Sequence, residues 1–124
     1  MEQPSHIDTL LKSLARFNPE VAAEEDAYRL QFERDTKIVT VLWPKHVCEV
    51  FLDFTKDGEL LLAESVEYYE NENGPEQAQD IARIAQNFLL NEVKLAESGR
   101  FLKRTELQSF RGGKWQSVFE SAAQ

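Results

Sequence analysis

A chain of 124 residues with 42% apolar and 29% charged side chains can both build and cover one core, so residues 1–124 are expected to form a single domain. Its formal charge of −8 works against general nucleic-acid binding, because most of the surface repels phosphate. A lone cysteine, Cys48, excludes an internal disulfide, and no apolar run nears the ~18 residues of a membrane span.

The charge is divided unevenly. Residues 1–99 hold 20 acidic and 9 basic side chains, a formal −11, whereas residues 100–124 hold 2 and 5, a formal +3, which together make −8. Met1–Ala15 carries Glu2, His6 and Asp8 where a secretory leader needs a basic start and an apolar centre, and the expected location is cytoplasmic.

Residues 6–17 read as a helix, with Ile7, Leu10, Leu11, Leu14 and Phe17 on one stripe, Ser5 as its cap and Pro19 as its stop. Glu20–Asp26 reads as an acidic connector. The next forty residues alternate apolar and polar with period two. A two-residue loop at Asp35-Thr36 sets Phe32 opposite Val39, Leu30 opposite Val41 and Tyr28 opposite Trp43. A loop at Pro44–Val47 then pairs Trp43 with Cys48, Val41 with Val50 and Val39 with Leu52. The Lys56-Asp57-Gly58 turn sets Phe54 against Leu60, Leu52 against Leu62 and Val50 against Glu64. Glu59–Glu70 also contains good helix formers, but the hairpin turn demands a partner for residues 48–55 and favours a strand.

Residues 75–97 carry a second helical stripe, Ile81, Ile84, Ala85, Phe88, Leu89 and Val93, between Asn73-Gly74-Pro75 and a terminating Gly99. A Gly112-Gly113 turn joins strands 101–110 and 114–120, pairing Phe110 with Trp115, Gln108 with Ser117 and Glu106 with Phe119. The predicted fold is an α+β two-layer sandwich. A four-stranded meander plus a C-terminal hairpin carries two helices on one face, in the order α-β-β-β-β-α-β-β.

Several residue groups bear on function. Six carboxylates, Asp57, Glu59, Glu64, Glu67, Glu70 and Glu72, fall between positions 57 and 72 with no lysine or arginine among them, a pattern suited to a basic protein partner. The tip Phe110-Arg111-Gly112-Gly113-Lys114-Trp115 offers two aromatic rings and two cations, for a peptide or for nucleobases. Glu64, placed on the apolar face, has no second group to complete a reaction. His46 and Cys48 lie two apart, but Pro44-Lys45-His46 reads as a loop, and Cys48 opposite Trp43 reads as a small core filler. An EF-hand alignment with Gly74 at its sixth position puts Tyr69 where an aspartate belongs, so no metal is assigned. No phosphate loop, dinucleotide fingerprint or nucleophile elbow occurs, and neither a cofactor nor a catalytic residue is assigned.

In length, charge and element order the chain resembles the small acidic chaperones of secreted effector proteins, although it lacks their third, C-terminal helix. The expected function is a non-catalytic, acidic protein-binding module of chaperone, immunity or adaptor type. A small-molecule site or minor enzyme is the alternative, with Tyr28, Trp43, Phe54, Tyr68 and Phe88 lining a cavity between helix 75–97 and the sheet. A weaker alternative is nucleic-acid contact through Arg100, Lys103, Arg104, Arg111 and Lys114. Unpaired sheet edges make a homodimer plausible.

Overall fold

Each chain reversal between residues 20 and 67 returns the apolar side chains to one face, and in the computed structural model they build a five-stranded antiparallel meander. The structure describes residues 3–68, 74–98, 101 and 104–120. Its elements are α1 (Ser5–Ser13), a 3-10 turn (Ala15–Phe17), β1 (Glu20–Ala23), β2 (Ala27–Arg34), β3 (Lys37–Pro44), β4 (Glu49–Lys56), β5 (Glu59–Glu67), α2 (Gly74–Leu89), β6 (Val93–Ser98), β7 (Arg104–Arg111) and β8 (Lys114–Ser117). The first five strands pair in sequence order, and β6-β7-β8 form a separate antiparallel sheet. The fold is the expected α+β sandwich.

Leu30, Phe32, Val39, Val41, Trp43, Val50, Leu52 and Phe54 line the inner face of the meander and are shut from solvent. Ile7, Leu10 and Leu14 of the N-terminal segment and Ile81, Ala85 and Phe88 of α2 close over them. Val93, Leu107 and Val118 of the second sheet and its flanks join the same apolar cluster. Burying each of the large side chains contributes roughly 1.5–3 kcal/mol.

The β2–β3 register is as the sequence predicts, with Phe32 opposite Val39, Leu30 opposite Val41 and Tyr28 opposite Trp43. The next two registers differ by an even number of residues. The β2–β3 ladder runs on through Ala27–Pro44, extended by the Lys45 N–H donating to the Asp26 carbonyl at 2.8 Å. The reversal therefore falls at residues 45–48, and Val41 meets Leu52 while Val39 meets Phe54. At the following turn Asp57 and Gly58 both take positive φ (53° and 78°), so the hairpin closes on a two-residue loop with Lys56 opposite Glu59. A bulge between Phe54 and Thr55, with Leu61 as the extra residue, then sets Phe54 against Leu62 and Leu52 against Glu64. An even shift keeps every side chain on its face, so the inner wall survives both corrections.

Other elements differ from the sequence reading for local reasons. Pro4 precedes α1 in place of a Ser5 cap, and its carbonyl accepts from the N–H groups of Ile7 and Asp8, each at 3.1 Å. The last turn before Pro19 tightens to 3-10 geometry, ending on Asn18 at φ 50°. The supposed connector contains β1, a short strand held by the edge of β2 through Val21–Leu30 and Ala23–Tyr28. The second helix stops at Leu89 instead of running to residue 97, and Val93 opens a strand opposite Ser109. The Phe110–Trp115 and Gln108–Ser117 pairs form as expected, but β8 ends at Ser117, so Glu106 does not pair with Phe119. The expected caps at Asn73 and Gly99 lie outside the described residues.

What ends α2 is the β2–β3 turn. Lys37 Nζ donates to the carbonyls of Phe88 (2.9 Å) and Asn91 (2.6 Å), and Arg34 Nη1 donates to that of Leu89 (3.2 Å). Two cations thus meet the negative end of the helix and satisfy carbonyls that have no partner within it. Partial burial, then the neighbouring Arg34 and Lys56, hold the Lys37 ammonium below its ordinary value, against the pull of Asp35. Replacing Lys37 by Met should destabilise the fold by about 1–3 kcal/mol in urea unfolding, because it keeps the stem but strands the carbonyls. A loss no larger than that of Lys12→Met, on the exposed side of α1, would show that this cap contributes little.

Candidate functional site

Among the described residues, strand β5 lies at the edge of the meander and pairs on one side, with β4. The strand spans nine residues. Glu59, Glu64 and Glu67 are all exposed along it, and the strand contains no lysine or arginine. Among the described residues the ion pairs are Arg29–Glu24 and Arg83–Asp80, so none of these three carboxylates is neutralised by one. Leu60, at 55% exposure, adds an apolar side chain to the same edge. Glu70 and Glu72, the remaining members of the predicted acidic run, lie outside the described residues.

Glu64 does not face Val50. It lies opposite Leu52 on the core side of the sheet, yet it is exposed because the second sheet leaves a groove there. The groove measures about 380 Å³ and lies between Leu62 and Glu64 of β5 and the Arg104–Leu107 stretch of β7, with Phe119 and Glu120 beyond the end of β8. A second cleft, about 520 Å³, opens at the other end of β5 beside Val47, Cys48, Glu49, Glu67 and Tyr68. Cys48 is therefore half-buried at a cleft wall, not packed as a core filler, and His46 is exposed in the reversal before it.

The glycine hairpin is built differently from a free cationic tip. Gly112 and Gly113 take φ of 59° and 80°, which only glycine adopts readily in succession. The Phe110 and Trp115 rings meet edge-on at 5.4 Å, and Lys94 Nζ sits 4.4 Å from the Trp115 ring centre, covering it. Arg111 folds back, donating through Nε to Ser109 Oγ (2.8 Å) and through Nη2 to the Ser117 carbonyl (2.6 Å). Its guanidinium braces the hairpin through these two nitrogens, while Nη1 is buried without a hydrogen-bond partner among the described residues. Lys114 and Phe110 stay exposed, Arg104 is exposed one strand-length away, and Arg100 and Lys103 lie outside the described residues.

The aromatic residues expected to line one cavity separate into two places. Phe54 and Phe88 are fully buried with ring centres 5.1 Å apart, filling the layer between α2 and the sheet. Tyr28, Trp43 and Tyr68 line a small surface cleft of about 170 Å³ with His6 and Lys45. There Trp43 Nε1 donates to the Tyr68 hydroxyl at 3.1 Å, and the His6 ring lies 4.7 Å from the indole. The sequence places His6 at the start of α1 but contains nothing that brings it to Trp43.

Among the described residues no three His, Cys, Asp or Glu side chains come together to hold a metal ion, and no helix is long and apolar enough to cross a membrane. No protein-family model, curated protein or solved structure matches the chain.

Burial at this cleft pushes His6 below its ordinary value of 6.5. The unfolded chain then binds the proton first as pH falls. The stability that His6 contributes is complete above 6.5 and is lost as pH drops through 6.5 toward the lower folded value. The urea midpoint should fall between about pH 7.5 and about pH 5.5, and fall less in His6→Phe, which keeps a ring on Trp43. An equal fall in both proteins would assign the proton to another group.

Proposed function

We propose that this chain is a non-catalytic protein-binding module that docks a basic protein partner along the β5 edge. The observation that carries the reading is an open, nine-residue edge strand with three exposed carboxylates and no cation. Exposed edges are ordinarily blunted by lysine, proline or a bulge, since unpaired N–H and C=O groups recruit another strand. Here the blunting is partial: one bulge at Leu61 and an acidic rim. A rim of one sign attracts a surface of the other, raising the rate of encounter and orienting it.

The acidic rim also disfavours a homodimer through this edge. An antiparallel copy of β5 centred on Ala63 would set Glu59 against Glu67 twice, and like charges directly opposite one another destabilise a strand pair. The cluster shared by both helices and both sheets supports treating residues 1–124 as one domain, which presents the edge on a rigid body. The C-terminal hairpin is the less favoured surface, because Arg111 and Trp115 are engaged internally.

The test is affinity capture from the native host, followed by titration of the recovered protein against wild type and a Glu59→Lys, Glu67→Lys double variant. Affinity should weaken roughly tenfold or more as salt rises from about 50 to about 300 mM, and comparably on charge reversal. Affinity indifferent to both changes would rule out this edge as the interface.

A further inference from the structure

We infer that the partner is engaged as an extended segment, added to β5 as a sixth strand, with a lysine or arginine side chain directed into the groove between β5 and β7. The inference rests on the reading of β5 as the docking edge and specifies what that edge recognises.

Strand parity places the recognised side chain. Leu62 and Glu64 lie on the core side of β5, opposite Phe54 and Leu52, and both line the groove. An added strand continues the pleat, so every second side chain on its core side projects over that same groove, while the others face solvent. The backbone hydrogen bonds of the edge supply affinity that does not depend on sequence. The groove supplies the selection.

The groove's chemistry fits a long cationic side chain. Leu62 and Phe119, both partly exposed, offer apolar contact for a stem of methylenes, and Glu64 on β5 and Glu106 on β7 offer carboxylates for its head. Glu120 also lies at the groove, beyond the end of β8. Glu106 is only weakly engaged, accepting from Gln108 Nε2 at 3.4 Å, and Arg104 makes no ion pair with either among the described residues. An acidic side chain would meet two carboxylates there, and a short apolar one would leave them unpaired.

A display library of random peptides of about ten residues, selected against the immobilised full chain, tests this directly. Enriched peptides should carry Lys or Arg with β-branched residues two positions to either side. A synthetic copy of the most enriched peptide should slow hydrogen exchange at β5 amides, and it should bind at least tenfold more weakly to a Glu64→Lys, Glu106→Lys double variant. Glu64→Gln, a neutral change at an exposed position, should show a smaller loss at an unchanged melting temperature. Enrichment without basic residues, protection outside β5, no enrichment at all, or equal affinity for the double variant would each overturn the inference. A host partner that binds in a salt-sensitive way yet leaves β5 amides unprotected would defeat strand addition while leaving the docking edge standing. Indifference of that partner to reversal at Glu59 and Glu67 would defeat the docking edge itself.

Discussion

One face of a five-stranded sheet must be hidden from water, and most of this structure follows from that constraint. Eight large side chains, from Leu30 on β2 to Phe54 on β4, point the same way and are almost wholly buried. Neither helix covers them alone. The N-terminal segment contributes Ile7, Leu10, Leu14 and Phe17, α2 contributes Ile81, Ile84 and Phe88, and the two helices pack side by side. The second sheet closes what remains through Leu107 and Val118. Phe119 meets Phe54 edge-on at 5.8 Å, although it belongs to no strand.

The cover is fixed in place at its ends by polar groups. Lys37 and Arg34 reach from the β2–β3 turn to the last carbonyls of α2, so the sheet sets the length of the helix that lies on it. At the opposite end His6 stacks on Trp43, tying the start of α1 to β3, and its Cβ and ring approach Gly74 at the start of α2 so closely that a side chain at 74 would crowd them. These ties leave β5 as the margin where the inner face is least covered. Leu62 and Val66 are only partly buried there, and Glu64, which parity sends inward, finds open groove instead of core. The groove exists because the C-terminal strands form a sheet of their own and do not extend the meander.

This arrangement gives β5 two characters. Toward β4 it is an ordinary hairpin strand. Along its free side it presents backbone hydrogen-bonding groups, three exposed carboxylates and an exposed leucine, next to a groove lined by Leu62, Glu64, Arg104, Glu106 and Phe119. The candidate catalytic features of the sequence do not assemble. His46 stays in an exposed reversal, Cys48 faces a cleft beside Glu49 and Glu67, and Phe54 packs edge-on against Phe88 between the sheet and α2.

The parity of the meander, the helical stripes and the glycine turns are legible in the sequence, because each depends on chemistry within a few residues. Side-chain alternation has period two, and Asp57-Gly58 and Gly112-Gly113 accept the positive φ that tight hairpins need. The acidity of β5 is equally local. What only the tertiary structure decided rests on contacts that no local pattern announces. Lys37 ends α2 from about fifty residues away, the edge of β2 turns Glu20–Ala23 into a strand with no apolar pattern of its own, and Ser117 draws Arg111 inward. The registers of β4 and β5 moved by two residues for the same reason, since burial fixes which face a side chain takes but leaves loop length to hydrogen bonds such as Lys45 to Asp26. The groove between β5 and β7 is the clearest case: Glu64 and Glu106, which both line it, are separated by a helix and one strand, and only the packing of one sheet beside the other brings them together.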